Sequence, residues 1–278
     1  MSGQDLSMMP KGRSEIFSAA LDGDEQALAG ALSRGGDPNE MSPMMCKALV
    51  FGTPLMQAAA LGRVGCARML APLTTPNIQD KFGRTALMRA AMSSSSKIVE
   101  LLSQVENPLG RDFGGDMPMF MIGRGEDNWR KPGQHTEAEQ IECAKHLLLA
   151  GGADALAPRE NGETALMAAI ANATDGLALF LAQHCDVRAL DGEGRTALMW
   201  AASSGRETLV AALAPDSDIW AVDKNGLDAK GHAYARQRAA GDDVGGRIAA
   251  ALMSIHEQNV LSQTVGGAPK SPRAGRAL

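Results

Sequence analysis

The chain has 278 residues, of which only 4% are aromatic, and its 27 Lys and Arg against 32 Asp and Glu give a formal net charge of −5 at pH 7. This length admits one or two globular domains or one elongated array, and the scarcity of rings argues against a core built around aromatic side chains. The small acidic excess argues against a dedicated nucleic-acid-binding protein.

The N-terminus and the cysteines indicate the compartment. The first 13 residues, MSGQDLSMMPKGR, lack the continuous apolar segment of a secretory signal, so we predict an N-terminal tail over residues 1–13. No apolar run in the chain approaches the ~18 residues of a membrane span. Cys46, Cys66, Cys143 and Cys185 form no Cys-x-x-Cys pair, which is typical of reduced thiols. We therefore predict a cytoplasmic protein.

A two-helix unit begins near residue 14 and is repeated along the chain. Its first helix starts at a threonine, whose hydroxyl is a good N-cap, and continues through an alanine-rich segment. Thr53 begins TPLMQAAALG, Thr85 begins TALMRAAMSS, Thr164 begins TALMAAIANA and Thr196 begins TALMWAASSG. The steps from 53 to 85 and from 164 to 196 are both 32 residues. Such a period predicts helical hairpins that bury their apolar faces against neighbouring copies.

Weaker copies of the unit appear when the same step is applied again. Met117, in GGDMPMFMIGRG, lies 32 residues after Thr85, and Asp228, in NGLDAKGHAYAR, lies 32 residues after Thr196. The segment SEIFSAALDGDEQALAGA at 14–31 matches the unit and has charged outer residues that suit a terminal cap. A second helix with apolar residues at helical spacing follows each first helix. We predict about seven units over residues 14–259.

Two insertions interrupt the period. The step between the first two units is 39 residues, with the surplus around residues 40–50, and the step between the fourth and fifth units is 47 residues, with most of the surplus at 125–135. Insertions in repeat arrays form surface loops, often on the binding face.

The C-terminal end of the chain changes in composition. After the last unit it becomes rich in Gly, Ala and Pro and carries Lys270, Arg273 and Arg276. We predict a disordered basic tail over residues 260–278.

The pattern Asp-x-x-Gly-x-Thr-Ala/Pro-Leu-x-x-Ala-Ala, followed by a short helix and Leu-Leu-x-x-Gly-Ala-Asp, resembles the ankyrin repeat. The matches at 53–55 (Thr-Pro-Leu) and 151–154 (Gly-Gly-Ala-Asp) are the nearest to that pattern. The resemblance implies an all-α ankyrin-repeat solenoid of stacked helix-turn-helix units with divergent terminal copies. The Thr-Ala-Leu-Met variant is similar to that of ankyrin arrays in some unicellular parasites, which are occasionally joined to kinase domains.

One departure from the family pattern concerns the residue after Thr-Pro-Leu. The family usually has histidine there, whereas this chain has Met56, Met88, Met167 and Met199, with Phe120 in the divergent copy. We expect thioether packing in place of the polar link that histidine provides.

No motif in the sequence indicates catalysis or cofactor binding. The chain has no Gly-x-Ser-x-Gly turn, no P-loop and no Gly-x-Gly-x-x-Gly after a predicted strand. Cys143 and His146 lie three residues apart, but no second pair follows at the spacing of metal ligands. We predict a protein that is not an enzyme, with no catalytic, cofactor-binding or metal-binding residues and no cofactor.

The resemblance implies a partner-binding surface. In this family the turn tips and the outward face of each first helix line a concave groove where protein partners dock. An exposed aromatic residue beside arginine has the composition of an interaction hot spot, although the same residues also suit packing of turn against turn. The candidate partner-binding residues are Lys81, Phe82, Arg84, Arg89, Phe113, Met121, Trp129, Arg195 and Trp200.

The function implied is that of a non-enzymatic scaffold or adaptor that binds a partner protein through the groove. The arginines favour a partner with acidic or phosphorylated groups, and we expect a monomer with no nucleic-acid or membrane partner. Three alternatives stay open: a regulatory or targeting subunit of a separate enzyme such as a kinase, a pathogen effector that binds a host protein, and a binder of nucleic acid or of an anionic surface through the basic tail.

Overall fold

A computed structural model describes residues 14–41, 52–124 and 136–265. Within these ranges the chain forms α-helices and two 3₁₀ helices, with no strand. The α-helices are α1 (Glu15–Asp22), α2 (Glu25–Ser33), α3 (Pro54–Ala60), α4 (Val64–Leu70), α5 (Ala86–Met92), α6 (Ser96–Leu102), α7 (Pro118–Met121), α8 (Glu137–Gly151), α9 (Ala165–Asn172), α10 (Asp175–Ala182), α11 (Ala197–Ser204), α12 (Glu207–Leu213), α13 (Ala229–Ala240) and α14 (Val244–Val265). The 3₁₀ helices are Gly152–Leu156 and Ala214–Asp216.

The helices belong to two compact units. Of the described residues, the first unit comprises 14–41, 52–124 and 145–151, and the second comprises 136–144 and 152–265. In the first unit α1, α3, α5 and α7 pack in sequence, and α2, α4 and α6 pack in a parallel row. In the second unit α9, α11 and α13 pack in sequence, and α10, α12 and α14 form the other row. Each unit is therefore a stack of helical hairpins, as the repeat predicts.

The repeated threonines begin the first helices as expected. The Oγ1 atoms of Thr53, Thr85, Thr164 and Thr196 each accept a hydrogen bond from the backbone N–H three residues on, at 3.3 to 3.4 Å. Asp228 caps α13 in the same way, at 2.7 Å from the Gly231 nitrogen. Helix α7 begins after Met117, which has no capping side chain, and is only four residues long.

The core of each unit is made of small and flexible apolar residues. The alanine pairs in the middle of α3, α5, α9 and α11 are at most 4% exposed, which lets successive backbones approach closely. Met56, Met88, Met167 and Met199 are at most 1% exposed, and Phe120 is 2% exposed. The expected thioether packing is therefore present at the position where the family has histidine.

Several predicted features lie outside the described residues. These are the tail at 1–13, most of the insertion at 40–50, the whole of the insertion at 125–135 with Trp129, and residues 266–278. Helix α14 runs to Val265, past the boundary at Asn259 that the repeat pattern predicts. It is the long second helix of the last hairpin.

Ser94 occupies a turn position that is strained for a residue with a side chain. It connects α5 to α6 with φ of 47°, where the equivalent turns contain Gly62 at 68° and Gly205 at 71°. Residues other than glycine pay about 1 kcal/mol or more for this left-handed conformation. The Ser94 hydroxyl is also buried without a hydrogen-bond partner.

We expect Ser94→Gly to raise the free energy of unfolding by about 1 kcal/mol. The substitution removes the backbone strain and the buried unpaired hydroxyl, and this gain exceeds the cost of the higher conformational entropy of glycine in the unfolded chain. Urea unfolding followed by circular dichroism measures the change. As a control, Ser103→Gly at the end of α6, where φ is −63°, is expected to destabilise. A lower stability of Ser94→Gly would contradict the assignment of strain.

Candidate partner-binding surface

In four of the turns that precede a first helix, an aspartate holds the backbone of the turn. Asp80 Oδ1 accepts hydrogen bonds from the backbone N–H groups of Phe82 and Arg84, at 2.7 and 2.9 Å. Asp112, Asp191 and Asp223 hold their own turns through the same pair of contacts, at 2.8 to 2.9 Å. The carboxylates thus hold the turn tips in one conformation in the unbound protein.

One turn of the second unit uses different chemistry. Arg159 stands at the aspartate position and forms an ion pair with Glu163, with Nη1 and Oε2 2.5 Å apart. Asn161 Oδ1 accepts a hydrogen bond from the Glu163 nitrogen at 3.1 Å. The turn therefore keeps its shape with reversed charges.

Neighbouring turn tips within a unit are hydrogen-bonded to each other. In the first unit the Phe113 nitrogen donates to the Phe82 carbonyl oxygen at 3.0 Å. In the second unit the Lys224 nitrogen donates to the Glu193 carbonyl oxygen, also at 3.0 Å. These bonds align the side chains at the tips into one surface in each unit.

The first unit carries what we call the cationic aromatic patch, formed by Lys81, Phe82, Arg84 and Phe113. Lys81 Nζ lies 4.8 Å and Arg84 Cζ lies 4.4 Å from the centroid of the Phe82 ring, distances of cation–π contact. The rings are not packed away, because Phe82 is 47% and Phe113 74% exposed. The Phe113 ring lies against Gly83, where an added Cβ would come within 2.6 Å of it.

Two predicted partner-binding residues are buried instead. Arg89 is 2% exposed, because its guanidinium points back under the turn and forms an ion pair with Asp80. Met121 is 1% exposed in the core of the first unit. The prediction that these two side chains are available to a partner is wrong.

In the second unit Arg195 and Trp200 form a smaller site. Arg195 Cζ lies 4.3 Å from the centroid of the Trp200 ring. Both side chains donate to Asp191 Oδ2, Arg195 through Nε at 2.9 Å and Trp200 through Nε1 at 3.0 Å. Burial raises the pKa of Asp191, but these hydrogen bonds and those from the backbone of its turn outweigh that effect and lower the pKa overall.

A relation that the sequence analysis missed links each turn aspartate to the first helix. The residue nine positions after Asp80, Asp191 and Asp223 donates to the carboxylate: Arg89, Trp200 and His232, the last with Nε2 3.1 Å from Oδ2. Where the residue at this spacing is Ala168, the turn has Arg159 in place of aspartate. The sequence did contain a signal for these contacts: a side chain that can donate a hydrogen bond follows each of these aspartates by nine residues.

The three cysteines of the described residues are not activated, and no metal cluster forms in the same part of the chain. Burial raises the pKa of Cys66, that of Cys143 to about 12 and that of Cys185 to about 11, so these thiols stay protonated at neutral pH. No group of three potential metal ligands comes together in the described part of the chain. Among the same residues, no helix combines the length and the apolar character needed to cross a membrane.

Comparison with known proteins identifies the repeat. The family model for ankyrin repeats (3 copies) matches residues 16–112 and 134–223. The crystal structure of the human ASB11 ankyrin repeat domain superposes with a TM-score of 0.66 at 19% sequence identity, covering 93% of this chain and 100% of that domain. At this identity the likeness concerns the fold alone. A search of curated proteins finds no significant match.

Proposed function

Because the chain belongs to the ankyrin repeat family, whose repeats generally mediate protein–protein interactions, we propose that it is a non-enzymatic adaptor that holds a partner protein through its turn tips. Binding requires no movement of the backbone, since the turn aspartates and the bonds between tips already fix the surface. The adaptor therefore loses little conformational entropy when the partner binds.

The observation that carries the proposal is the exposure of the cationic aromatic patch. Phe82 and Phe113 stand next to each other at hydrogen-bonded tips, and both rings are accessible to solvent. Aromatic side chains bury much apolar area for few rotatable bonds, so they dominate the binding energy of protein interfaces. Arg195 and Trp200 present a related pair in the second unit.

The charge around Phe82 selects the partner. Lys81 and Arg84 flank the exposed Phe82 ring, whereas the Asp80–Arg89 ion pair is buried beneath the turn and its two charges offset each other. The accessible face of this turn is therefore cationic. The partner we propose is a protein segment that places acidic or phosphorylated groups beside an apolar side chain. The adaptor that we propose acts as a monomer in the cytoplasm.

The test is affinity purification of the full chain followed by mass spectrometry and titration of the captured protein. We expect Phe82→Ala with Phe113→Ala to weaken binding by about tenfold for each ring while helicity is unchanged. The matched control is Leu73→Ala with Val105→Ala, which removes two apolar residues of the first unit that are 50% and 47% exposed. Equal affinity of both double variants would rule out the patch.

A further inference from the structure

Two positions of each first helix, two and six residues after its N-cap, face the copy that follows. In α1, whose row continues with α3, these residues are Ile16 and Ala20, and both are buried. In α13, whose row neighbour is the preceding α11, they are Lys230 and Tyr234, and Tyr234 is 47% exposed. Because α1 is covered from the following side and α13 from the preceding side, Lys230 and Tyr234 lie at the open end of the row formed by the described helices.

Four copies between these ends have an apolar residue at both positions. All eight residues are at most 2% exposed: Leu55, Leu87, Leu166, Leu198, Ala59, Ala91, Ile170 and Ala202. A lysine and a tyrosine stand in their place in the last copy. Another copy of the same repeat would bury the Lys230 ammonium without a counter-charge, so this face suits an occupant of different chemistry.

A loop position three residues before the turn aspartate also reaches toward the following copy. Asn77 Oδ1 accepts a hydrogen bond at 2.7 Å from the Asn107 nitrogen of the next loop. Arg188 Nε donates to the Asp216 carbonyl oxygen of the next loop at 3.0 Å. Trp220 has this position in the loop before α13 and is 48% exposed. Its ring therefore lies at the same open end as the exposed side of α13.

Contacts join these side chains into one surface. Lys230 Nζ lies 6.0 Å from the centroid of the Trp220 ring, which packs edge-to-face against His256 of α14 with ring centroids 5.3 Å apart. Along α13, Lys230, Tyr234 and Arg238 follow one another at intervals of four residues, so they form one ridge with neighbouring Cβ atoms about 5–6 Å apart. We call Trp220, Lys230, Tyr234 and Arg238 the terminal face.

The cations of the terminal face have no ion-pair partner among the described residues. The described part of the second unit contains eighteen Asp and Glu and nine Lys and Arg, of which six donate to a carboxylate or a carbonyl oxygen of the same unit. These six are Arg159, Arg188, Arg195, Arg206, Arg236 and Arg247. Lys230 and Arg238 are two of the other three, and the third is Lys224 at a turn tip. Unpaired cations beside half-exposed aromatic rings complement an acidic occupant.

We propose that the terminal face binds an acidic helix of a partner protein, which lies along α13 where the first helix of the next copy lies elsewhere in the array. Lys230 and Arg238 are eight residues apart, about 12 Å along the helix axis at 1.5 Å per residue. Two carboxylates about two turns apart on the partner helix pair with these cations, and apolar side chains between them pack on the Tyr234 and Trp220 rings. The terminal face belongs to the second unit, whereas the cationic aromatic patch belongs to the first.

Selection from a phage-displayed library of helical peptides of about 20 residues, a length at which isolated helices form, tests the chemistry of the occupant. The immobilised full chain selects the binders, and Tyr234→Ala identifies those that need the terminal face. We expect these peptides to carry two acidic residues seven or eight positions apart with an apolar residue between them. Basic residues at these positions, or no peptide that depends on Tyr234, would overturn the proposal.

Titration of one selected peptide, synthesised with a fluorescein label, measures the contribution of each charge. We expect Tyr234→Ala, Lys230→Glu and Arg238→Glu each to weaken binding about tenfold while circular dichroism shows unchanged helicity. Lys224→Glu is the matched control, because it reverses the third unpaired cation of the unit and should leave the affinity unchanged. Equal loss in Lys224→Glu and Lys230→Glu would reduce the effect to net charge and contradict a site.

A charge exchange checks the pairing directly. The same peptide with its two acidic residues replaced by lysine should bind the double variant Lys230→Glu with Arg238→Glu at least tenfold more tightly than it binds the wild type. Absence of this exchange would contradict contact between the peptide carboxylates and the two cations.

Two further measurements separate this site from other occupants. Phe82→Ala with Phe113→Ala, which removes the cationic aromatic patch, should bind the peptide with wild-type affinity, and a loss would place the peptide on that patch instead. Sedimentation velocity of the full chain alone tests for a second copy. Self-association that Lys230→Glu abolishes would show that the terminal face binds another copy of this chain, and it would overturn the proposal of an acidic partner helix.

Discussion

Asp80→Ala is expected to lower the free energy of unfolding by about 3–5 kcal/mol, because it leaves the Arg89 guanidinium buried without its counter-charge. Asp80 is 3% and Arg89 2% exposed, so water cannot replace the lost carboxylate. The same change removes the acceptor for the backbone N–H groups of Phe82 and Arg84. Urea unfolding of the wild type and the variant measures the loss.

Two further variants distinguish the contribution of the buried ion pair from that of the backbone hydrogen bonds in the turn. Asp112→Ala removes the same pair of backbone hydrogen bonds from a turn whose ninth residue is Met121, so it should cost only about 1–2 kcal/mol. Asp80→Ala combined with Arg89→Met should recover part of the loss, since a buried ion pair is often replaced by apolar residues at little cost. Equal destabilisation by Asp80→Ala and Asp112→Ala would show that the ion pair contributes nothing.

The repeat itself was predictable from local chemistry. A threonine cap, an alanine-rich helix and a glycine turn each fix their own backbone, and their recurrence every 32 residues is visible without tertiary information. The threonine caps at 53, 85, 164 and 196 are confirmed, as is the burial of the methionines that follow them. The predicted all-α fold of stacked helix-turn-helix units is confirmed too.

The direction of individual side chains was not predictable. Arg89 and Trp200 occupy the same helical position, and from the family pattern both should face a groove. The carboxylate nine residues earlier draws the flexible Arg89 side chain inward to full burial, whereas the rigid Trp200 ring remains half-buried beneath Arg195. The spacing of nine residues identifies the aspartate and its donor, but it does not predict the extent to which the donor side chain is buried.

The exposure of Phe82 and Phe113 also required the structure. Both residues could pack one turn against another, and Phe113 does contact Gly83 of the neighbouring Asp80 turn. The tips meet through backbone hydrogen bonds, however, so the rings are not needed to join them and stay largely in solvent. Their role in binding remains a prediction.

Gly245→Ala is expected to lower the free energy of unfolding by about 3 kcal/mol, because α13 and α14 cross where this glycine has no side chain. An added Cβ would lie 2.2 Å from the Ala233 carbonyl oxygen and 2.7 Å from Gln237 Cβ. The nearer atom belongs to the backbone of a helix and cannot rotate away, so the two helices must separate. Overpacking of this kind typically costs about 1–3 kcal/mol, and a backbone clash lies at the upper end.

The adjacent glycine provides a control with the opposite sign. A Cβ at Gly246 would meet only Gln237 Oε1, at 3.5 Å, which is ordinary contact. Gly246→Ala should therefore stabilise α14 by up to about 1 kcal/mol through helix propensity. Thermal unfolding compares the two variants, and hydrogen exchange locates the effect, since separation of the last hairpin should expose the amides of α14 before those of α9. If both alanines stabilise the protein alike, the close crossing at Gly245 does not exist in solution.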